Sequence, residues 1–428
     1  MIGVSGLLRT SRKRIRRKLE LPDISALYLT LKDDPRNSMV VTYHLVDTED
    51  PVDVYYREKG TSDTWQTVSP TVIPFPNEDK NICHCNLSGL TADTSYDFKV
   101  GDNGDVRFFD TLPNDLSSPI LGAFGADYQD GPSMWAQITG LIADNYDVKF
   151  FVIGGDWVND DGSLSRSYAW VDFWDDMWQR YIRPDGRMIP LVPIMGNHEM
   201  AGSIGGEPDM AELFFEKLFA FPDEGFGNYG VIDIGDYMSL IALDTTSIDR
   251  YLTGETGNKE WAQRWENEIG STDISEHQKS WLEGVLDARS NVDYVIPLPH
   301  VPFFPSHRKH LEEAPDFDRD GWIEMLYNKG IKMIFSGHDH TYKKTHEMIY
   351  DTNEIKIAGE GENGMIEFGD GGLGNKYYSG NLHGEFYMDE TAAGFSHFKI
   401  AEFSATQAVV TSYDENNNQI GSQTTIVL

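Results

Sequence analysis

The chain has 428 residues, with 69 acidic against 35 basic side chains and a formal net charge of −34. At roughly 100–200 residues per domain this length accommodates two or three domains, and so acidic a surface repels phosphate backbones, so no nucleic-acid partner is expected. Apolar residues make up 40%, the balance of a folded protein, yet no run of about 18 apolar residues occurs, which excludes a spanning helix.

Residues 1–22 form a basic N-terminal arm in which Arg9, Arg12, Lys13, Arg14, Arg16, Arg17 and Lys18 follow a short apolar piece. A secretory leader has the reverse order, so no cleavable export signal is expected. Such an arm is either solvated or a tether to a partner or anionic surface. Residues 23–113 read as seven short β segments separated by turn residues: ALYLTL, SMVVTYHLV, VDVYYREKG, TWQTVS, ICHCNLSGL, SYDFKVGD and VRFFDTL. That pattern predicts an all-β sandwich. Cys83 and Cys85 stand two apart on one strand face, which suits neither a disulfide framework nor a zinc cage. The stretch LSGLTADTSYDFKV, with Leu90 and Tyr96, resembles the tyrosine corner of fibronectin type III domains.

A polar, proline-containing break at residues 113–118 ends this unit, and residues 114–428 form the second. Here buried strands alternate with helices, the order of an α/β domain. Strands are predicted in SPILGAFG, VKFFVIGG, RMIPLVPIMG, YMSLIALD, DYVIPLP and IKMIFSG; helices in a segment capped by Ser133, at Met210–Phe219, at Glu276–Ala288 behind a Ser275 cap, and at Gly321–Asn328. From Ile355 onward the pattern returns to β, which predicts a second sheet layer on the first.

Polar clusters follow these apolar strands. Asp127 with Gln129 follows the first, Asp156 with Asn159 and Asp160 the second, Asn197 with His198 the third, and His300, then His338 and His340, the last two. Taken singly, each is an ordinary turn or buried polar residue. Jointly they sit where the loops of an α/β sheet converge on one crevice, and carboxylate, imidazole and amide oxygen are the donors of divalent manganese, iron or zinc. A dinuclear site is the inference.

In order, GADYQ, GGDWVND, GNHE, PHVPFF and SGHDHTY resemble the five motifs of the calcineurin-like metallophosphoesterases, and the preceding sandwich resembles the N-terminal domain of purple acid phosphatases. The resemblance implies a two-sheet α/β/β/α sandwich holding two metal ions, of Fe, Mn or Zn. Asp127 and His340 would bind the first, Asp156 would bridge both, and Asn197, His300 and His338 would hold the second. Metal-bound hydroxide would attack a phosphate monoester while His198 protonates the departing alkoxide. Gln129 stands where most of the family has histidine, and Asn159 where purple acid phosphatases have the tyrosine responsible for their colour. Both are candidate metal donors, Gln129 a weak one. Asn159 is open between a ligand, a partner of a ligand and a plain loop residue, and no purple colour is expected. Plant-type phosphatases carry two substrate-facing histidines where this chain has Lys309 and His310; these, with His307, form a cationic rim, His310 a further catalytic candidate. Tyr342 is a candidate substrate contact. The alternatives are a phosphodiesterase using the same metals, or an assembly or surface-binding protein whose phosphoesterase domain has decayed.

Overall fold

The computed structural model describes residues 24–129, 132–199, 213–222, 229–246, 274–307, 319–374 and 385–428. The basic arm, Lys309 and His310 lie outside the described residues.

The N-terminal unit holds eight strands: β1 (Ala26–Thr30), β2 (Ser38–Val46), β3 (Val54–Glu58), β4 (Gln66–Val68), β5 (Thr71–Pro74), β6 (Lys80–Ser88), β7 (Ser95–Val100) and β8 (Arg107–Asp110). They form two layers, β1-β2-β6-β5 and β4-β3-β7-β8. The strand beyond the seven expected is β5, an edge strand on β6 whose Pro74 disguised it. The tyrosine corner forms: the Thr91 N–H donates to the Tyr96 hydroxyl at 2.9 Å. Cys83 and Cys85 are buried free thiols.

The second unit opens with β9 (Ile120–Gly125), α1 (Pro132–Asn145), β10 (Val148–Gly154), α2 (Ser167–Met177), β11 (Leu191–Ile194) and α3 (Leu213–Leu218). It continues with β12 (Gly230–Ile234), β13 (Met238–Leu243), α4 (Ile274–Ala288), β14 (Tyr294–Pro299), α5 (Arg319–Asn328), β15 (Met333–Ser336), β16 (Tyr342–Thr345), β17 (Met348–Asp351) and β18 (Glu354–Ile357). Last come β19 (Ile366–Asp370), β20 (Met388–Ala392), β21 (His397–Phe403), β22 (Gln407–Asp414) and β23 (Gln419–Val427). Helix α1 begins one residue ahead of Ser133, so that serine lies inside the first turn and is not a cap, and Pro132 takes the opening position that its fixed φ suits; α4 is described from Ile274, one residue ahead of Ser275.

Strands β9, β10 and β11 run parallel at the centre of a ten-stranded sheet ordered β23-β22-β21-β9-β10-β11-β1-β2-β6-β5. The N-terminal unit thus joins it edge to edge: β1 lies parallel to β11, and the Leu31 N–H donates to the Leu191 carbonyl at 3.0 Å. A second layer is formed by β12-β13-β14 and β15-β19-β16-β20, linked where the Gly337 N–H donates to the His300 carbonyl at 2.9 Å. Phe124 of the first layer stacks on Phe335 of the second at 3.8 Å. α1 and α2 cover the outer face of the first layer through Trp135, Ile138, Trp170 and Trp174, and α4 and α5 cover the second through Leu282, Leu286, Trp322 and Leu326. The result is the α/β/β/α sandwich. One expectation changes: β21, β22 and β23 extend the first sheet, with β21 antiparallel to β9, and do not build a separate layer. Among the described residues no helix is long and apolar enough to cross a membrane.

Candidate metal centre

Strands β9, β10 and β15 all end in backbone that bends sharply. Asp127 (φ 61°), Gln129 (φ 42°), Asp156 (φ 55°), His338 (φ 73°) and His340 (φ 52°) occupy the left-handed region, where non-glycine residues cost energy and are held by their surroundings. The bend turns each side chain off the strand direction toward one point. It also answers how His338 and His340, two apart, come to share a site. Space is made by glycine: a Cβ at Gly196 would lie 2.3 Å from Asp156 Oδ1, and one at Gly337 2.9 Å from Asp127 Oδ2.

Two overlapping groups result, Asp127–Asp156–His340 and Asp156–His300–His338, all buried, with the ligating atoms of each within 4.8 Å of one another. Asn197 belongs with the second: its Oδ1 lies 3.1 Å from His300 Nε2 and 2.7 Å from His338 Nδ1. His300 Nδ1 meets the Gly154 carbonyl at 2.6 Å, an oxygen that can only accept, so Nδ1 carries a proton and Nε2 is the ring nitrogen that faces the cluster. Burial opposes a charge on His300, but the Asp156 carboxylate outweighs it and pushes the group up to about 9. Burial likewise resists ionisation of Asp156, and the surrounding His300, His198 and His338 outweigh it, holding the carboxyl well below its usual range. With no cation bound, that shift keeps a second proton on His300 Nε2, 3.3 Å from Asp156 Oδ1, and a cation ligated by Nε2 must displace it.

The first group carries unmatched oxygen. Asp127 Oδ1 is fully buried and makes no hydrogen bond, although His340 Nε2 is 3.0 Å away. An unmatched buried carboxylate oxygen this close to an imidazole nitrogen fits a shared cation. Asn159 Oδ1 is also buried without a hydrogen-bond partner. Gln129 turns its Nε2 to Asp156 Oδ2 at 2.6 Å, so its amide reaches the shared carboxylate as a donor.

The calcineurin-like phosphoesterase model matches residues 124–342, just over half of the chain, and the model of the purple acid phosphatase N-terminal domain matches residues 24–111. The chain belongs to the calcineurin-like phosphoesterase family. Purple acid phosphatase 18 of Arabidopsis thaliana is 23% identical over 353 residues, 79% of this chain and 69% of its own length. Purple acid phosphatase 22 of the same plant is 24% identical over 313 residues, 72% of this chain and 64% of its own. The chain thus spans about two thirds of the length of these relatives. The solved purple acid phosphatase from yellow lupin seeds superposes with a TM-score of 0.70 at 15% identity, covering 94% of this chain and 74% of the lupin chain, which shows a common fold. The protein is therefore a purple acid phosphatase-like metallophosphoesterase, a class that implies two metal ions.

Within this phosphoesterase, the residues that brace the centre were not singled out from sequence. The buried Glu199 accepts the N–H groups of Gly196 (2.7 Å) and Asp156 (2.9 Å) on Oε2, and of Trp157 (2.7 Å) and Val158 (3.3 Å) on Oε1. Burial and the nearby Asp156 push its pKa up, yet four donors leave no acceptor for a carboxyl proton, so we read Glu199 as the carboxylate that ties the β10 and β11 ends together. Asp161, with a side chain 2% exposed, sits 2.7 Å from His198 Nδ1 and also meets Arg166. The Asp161 N–H donates back to the His198 carbonyl at 2.8 Å. His198 is also tied to the cluster, its N–H donating to Asp156 Oδ1 at 2.9 Å. Spacing could have exposed Asp161, one acid beyond the noted Asp160; nothing local could have paired Glu199 with amides about forty residues away.

The glycine-rich turn after β19 supports the first strand, the Leu373 N–H donating to the Ala126 carbonyl at 3.0 Å. Tyr342 departs from its expected place beside substrate. It is buried in β16, and its hydroxyl donates to Glu390 Oε2 at 2.5 Å, among the C-terminal strands. That bond uses the polar handle on which a substrate contact would depend. His307 is half-buried, its N–H donating to Asp339 Oδ2 at 3.2 Å.

Proposed function

We propose that this chain hydrolyses phosphate monoesters at a two-cation centre. Asp127 and His340 hold one cation, Asn197, His300 and His338 the other, and Asp156 both, with Gln129 and Asn159 beside the first; the residues divide into an arm at 1–22, a sandwich at 23–113 and a catalytic unit at 114–428. The observation that supports this most is Asp156, common to both donor groups: a carboxylate between two cations offsets their repulsion. Carboxylate, imidazole and amide oxygen suit manganese, iron or zinc. Bound there, two such ions supply Lewis acidity toward the phosphoryl oxygens and an acidified water as nucleophile.

The chain's own part is positioning and proton delivery. His198 has Nδ1 engaged by Asp161, and its Nε2 would hand a proton to the departing alkoxide. Asp161 fixes the ring's direction, and Arg166 in turn engages the far oxygen of Asp161. Both His198 and Gln129 line a cavity of about 940 Å³ beside the donor groups, room for the alcohol part of an ester.

Metal analysis together with turnover of nitrophenyl phosphate and bis(nitrophenyl) phosphate tests this. Close to two ions per chain and faster cleavage of the monoester are expected. Faster cleavage of the diester would shift the assignment to a phosphodiesterase. A metal-replete protein that cleaves neither would overturn the catalytic reading in favour of a decayed, binding-only domain.

A further inference from the structure

Glu199 ties the ends of β10 and β11 together, and a second buried glutamate does the same for β14 and β15. In β19 Phe368 packs into the core between the layers, so its neighbour Glu367 points to the opposite face, where it is fully buried. Its Oε2 accepts the Phe303 and Phe304 N–H groups at 3.1 Å and 3.2 Å, and its Oε1 accepts the Ser336 hydroxyl at 2.6 Å and the Lys343 ammonium at 2.7 Å. Lys343, equally buried in β16, also donates to the Phe304 carbonyl at 2.7 Å. Phe303 stands three residues after His300, and Ser336 two before His338. One carboxylate thus spans the two segments whose imidazoles, with ring centroids 5.2 Å apart, meet Asn197 Oδ1.

A buried ion pair is poor evidence of stabilisation. Taking carboxylate and ammonium out of water costs about as much as their attraction returns, and well-packed apolar residues in their place commonly do as well or better. What the pair supplies is direction, since four donors hold both oxygens of Glu367 in one orientation. Residues 300–306 belong to no strand or helix, so side-chain bonds set the loop's course. Besides those to Glu367, the Val301 N–H donates to the Thr245 hydroxyl at 2.9 Å, and the Ser306 N–H to Asp339 Oδ2 at 2.6 Å. Packing of the Phe303 and Phe304 rings in the second-layer core is non-directional, whereas hydrogen bonds fix angle and distance.

We propose that Glu367 is a positioning residue for the second cation: by holding the loop after β14 to the end of β15, it sets the spacing of His300 and His338. The inference rests on the two-cation reading and adds the residue on which the geometry of the second half depends.

Zinc titrations of the metal-free full chain against a chelating indicator test it by reading both affinities. Glu367→Gln keeps the size but sets amide hydrogens among four donors, so the ion at Asn197, His300 and His338 should bind about tenfold or more weakly, the ion at Asp127 and His340 within about threefold of wild type. Added to Asn197→Ala, which strips a donor from the second half, Glu367→Gln should leave the retained ion unchanged, which assigns the loss. Ser336→Ala removes only the bond from β15 and should show the same selectivity at smaller size; should Glu367→Gln not fold, this variant decides. Leu326→Ala, in the apolar core of the same layer, controls for stability: its melting temperature should fall at least as far as that of Ser336→Ala, with both affinities unaltered. The visible absorption of the cobalt(II)-loaded chain should change in Glu367→Gln and superimpose on wild type in Leu326→Ala. Unaltered affinities in Glu367→Gln, equal weakening of both ions, or the same selective loss in Leu326→Ala overturns the inference and leaves the two-cation reading standing. A wild-type chain that takes up fewer than two ions overturns that reading, and this inference with it.

Discussion

The two halves of the centre share Asp156 but are finished differently. On the Asn197–His300–His338 side nearly every polar atom has a protein partner: His300 is oriented by the Gly154 carbonyl, Asn197 Oδ1 sits between two imidazoles, and Glu199 gathers the amides at both strand ends. On the Asp127–His340 side, Asp127 Oδ1 is buried and unmatched. Unpaired buried oxygen is costly unless something cationic meets it. The second half is thus assembled by the chain, whereas the first depends on its ion, and the two should respond differently to perturbation.

The residue that belongs to both halves should give the largest effect. Asp156→Ala removes the shared donor, and turnover of nitrophenyl phosphate should fall by about 10⁴-fold or more, with both ions lost on metal analysis. If one ion remains with substantial activity, the halves are independent and the bridging role is wrong. Next comes His198→Ala, which should lower kcat by about 10²–10⁴-fold with metal content unchanged. Loss of an ion instead would make His198 a ligand. Asp161→Asn should give a smaller loss of the same kind, since it leaves the imidazole present but less firmly aimed.

How much of this was legible in the sequence depends on distance along the chain. Asp127, Asp156, Asn197, His300, His338 and His340 each follow an apolar strand, and a polar residue at that place is a local signal. So was Tyr96, whose corner depends on Thr91, five residues away. Helix α2 was missed although Trp170, Phe173, Trp174 and Met177 keep helical spacing, because its aromatic composition reads equally as strand. Glu199, and the pairing of β21 with β9, were out of reach for a different reason: partners far along the chain leave no trace in local pattern. The same applies to Tyr342, whose neighbours Glu390 and Gly421 come from the C-terminal strands.

A fourth perturbation probes the loop between the halves by pH. Asp160 is buried beside them, accepting the Gly162 N–H at 2.9 Å and the Trp170 indole N–H. Burial pushes its carboxyl up to about 7. A native pKa above the unfolded one means that the folded chain holds the proton more tightly. The associated stability is present in acid, below the ordinary carboxylate range, and is lost as pH rises from about 4 to about 7, by up to roughly 4 kcal/mol. Asp160→Asn cannot titrate, so its stability should lack that decline in urea melts followed across this window. Parallel pH profiles for variant and wild type would show that Asp160 is ionised throughout.

The smallest effect is expected at Tyr342, outside both halves. Its hydroxyl bond to Glu390 stabilises the junction of β16 with the C-terminal strands, where Lys344 and Ser422 also meet Glu390 at 2.8 Å and 3.1 Å. Tyr342→Phe keeps the ring and removes the hydroxyl with its bond to Glu390, so stability should fall by about 1 kcal/mol, more if Glu390 loses its orientation. KM and kcat for nitrophenyl phosphate should stay within about twofold, because nothing in the bond faces the donor groups. A rise in KM at unchanged stability would return Tyr342 to the substrate and place the C-terminal strands at the cleft, making the first half of the centre a shared construction of β9 and β16.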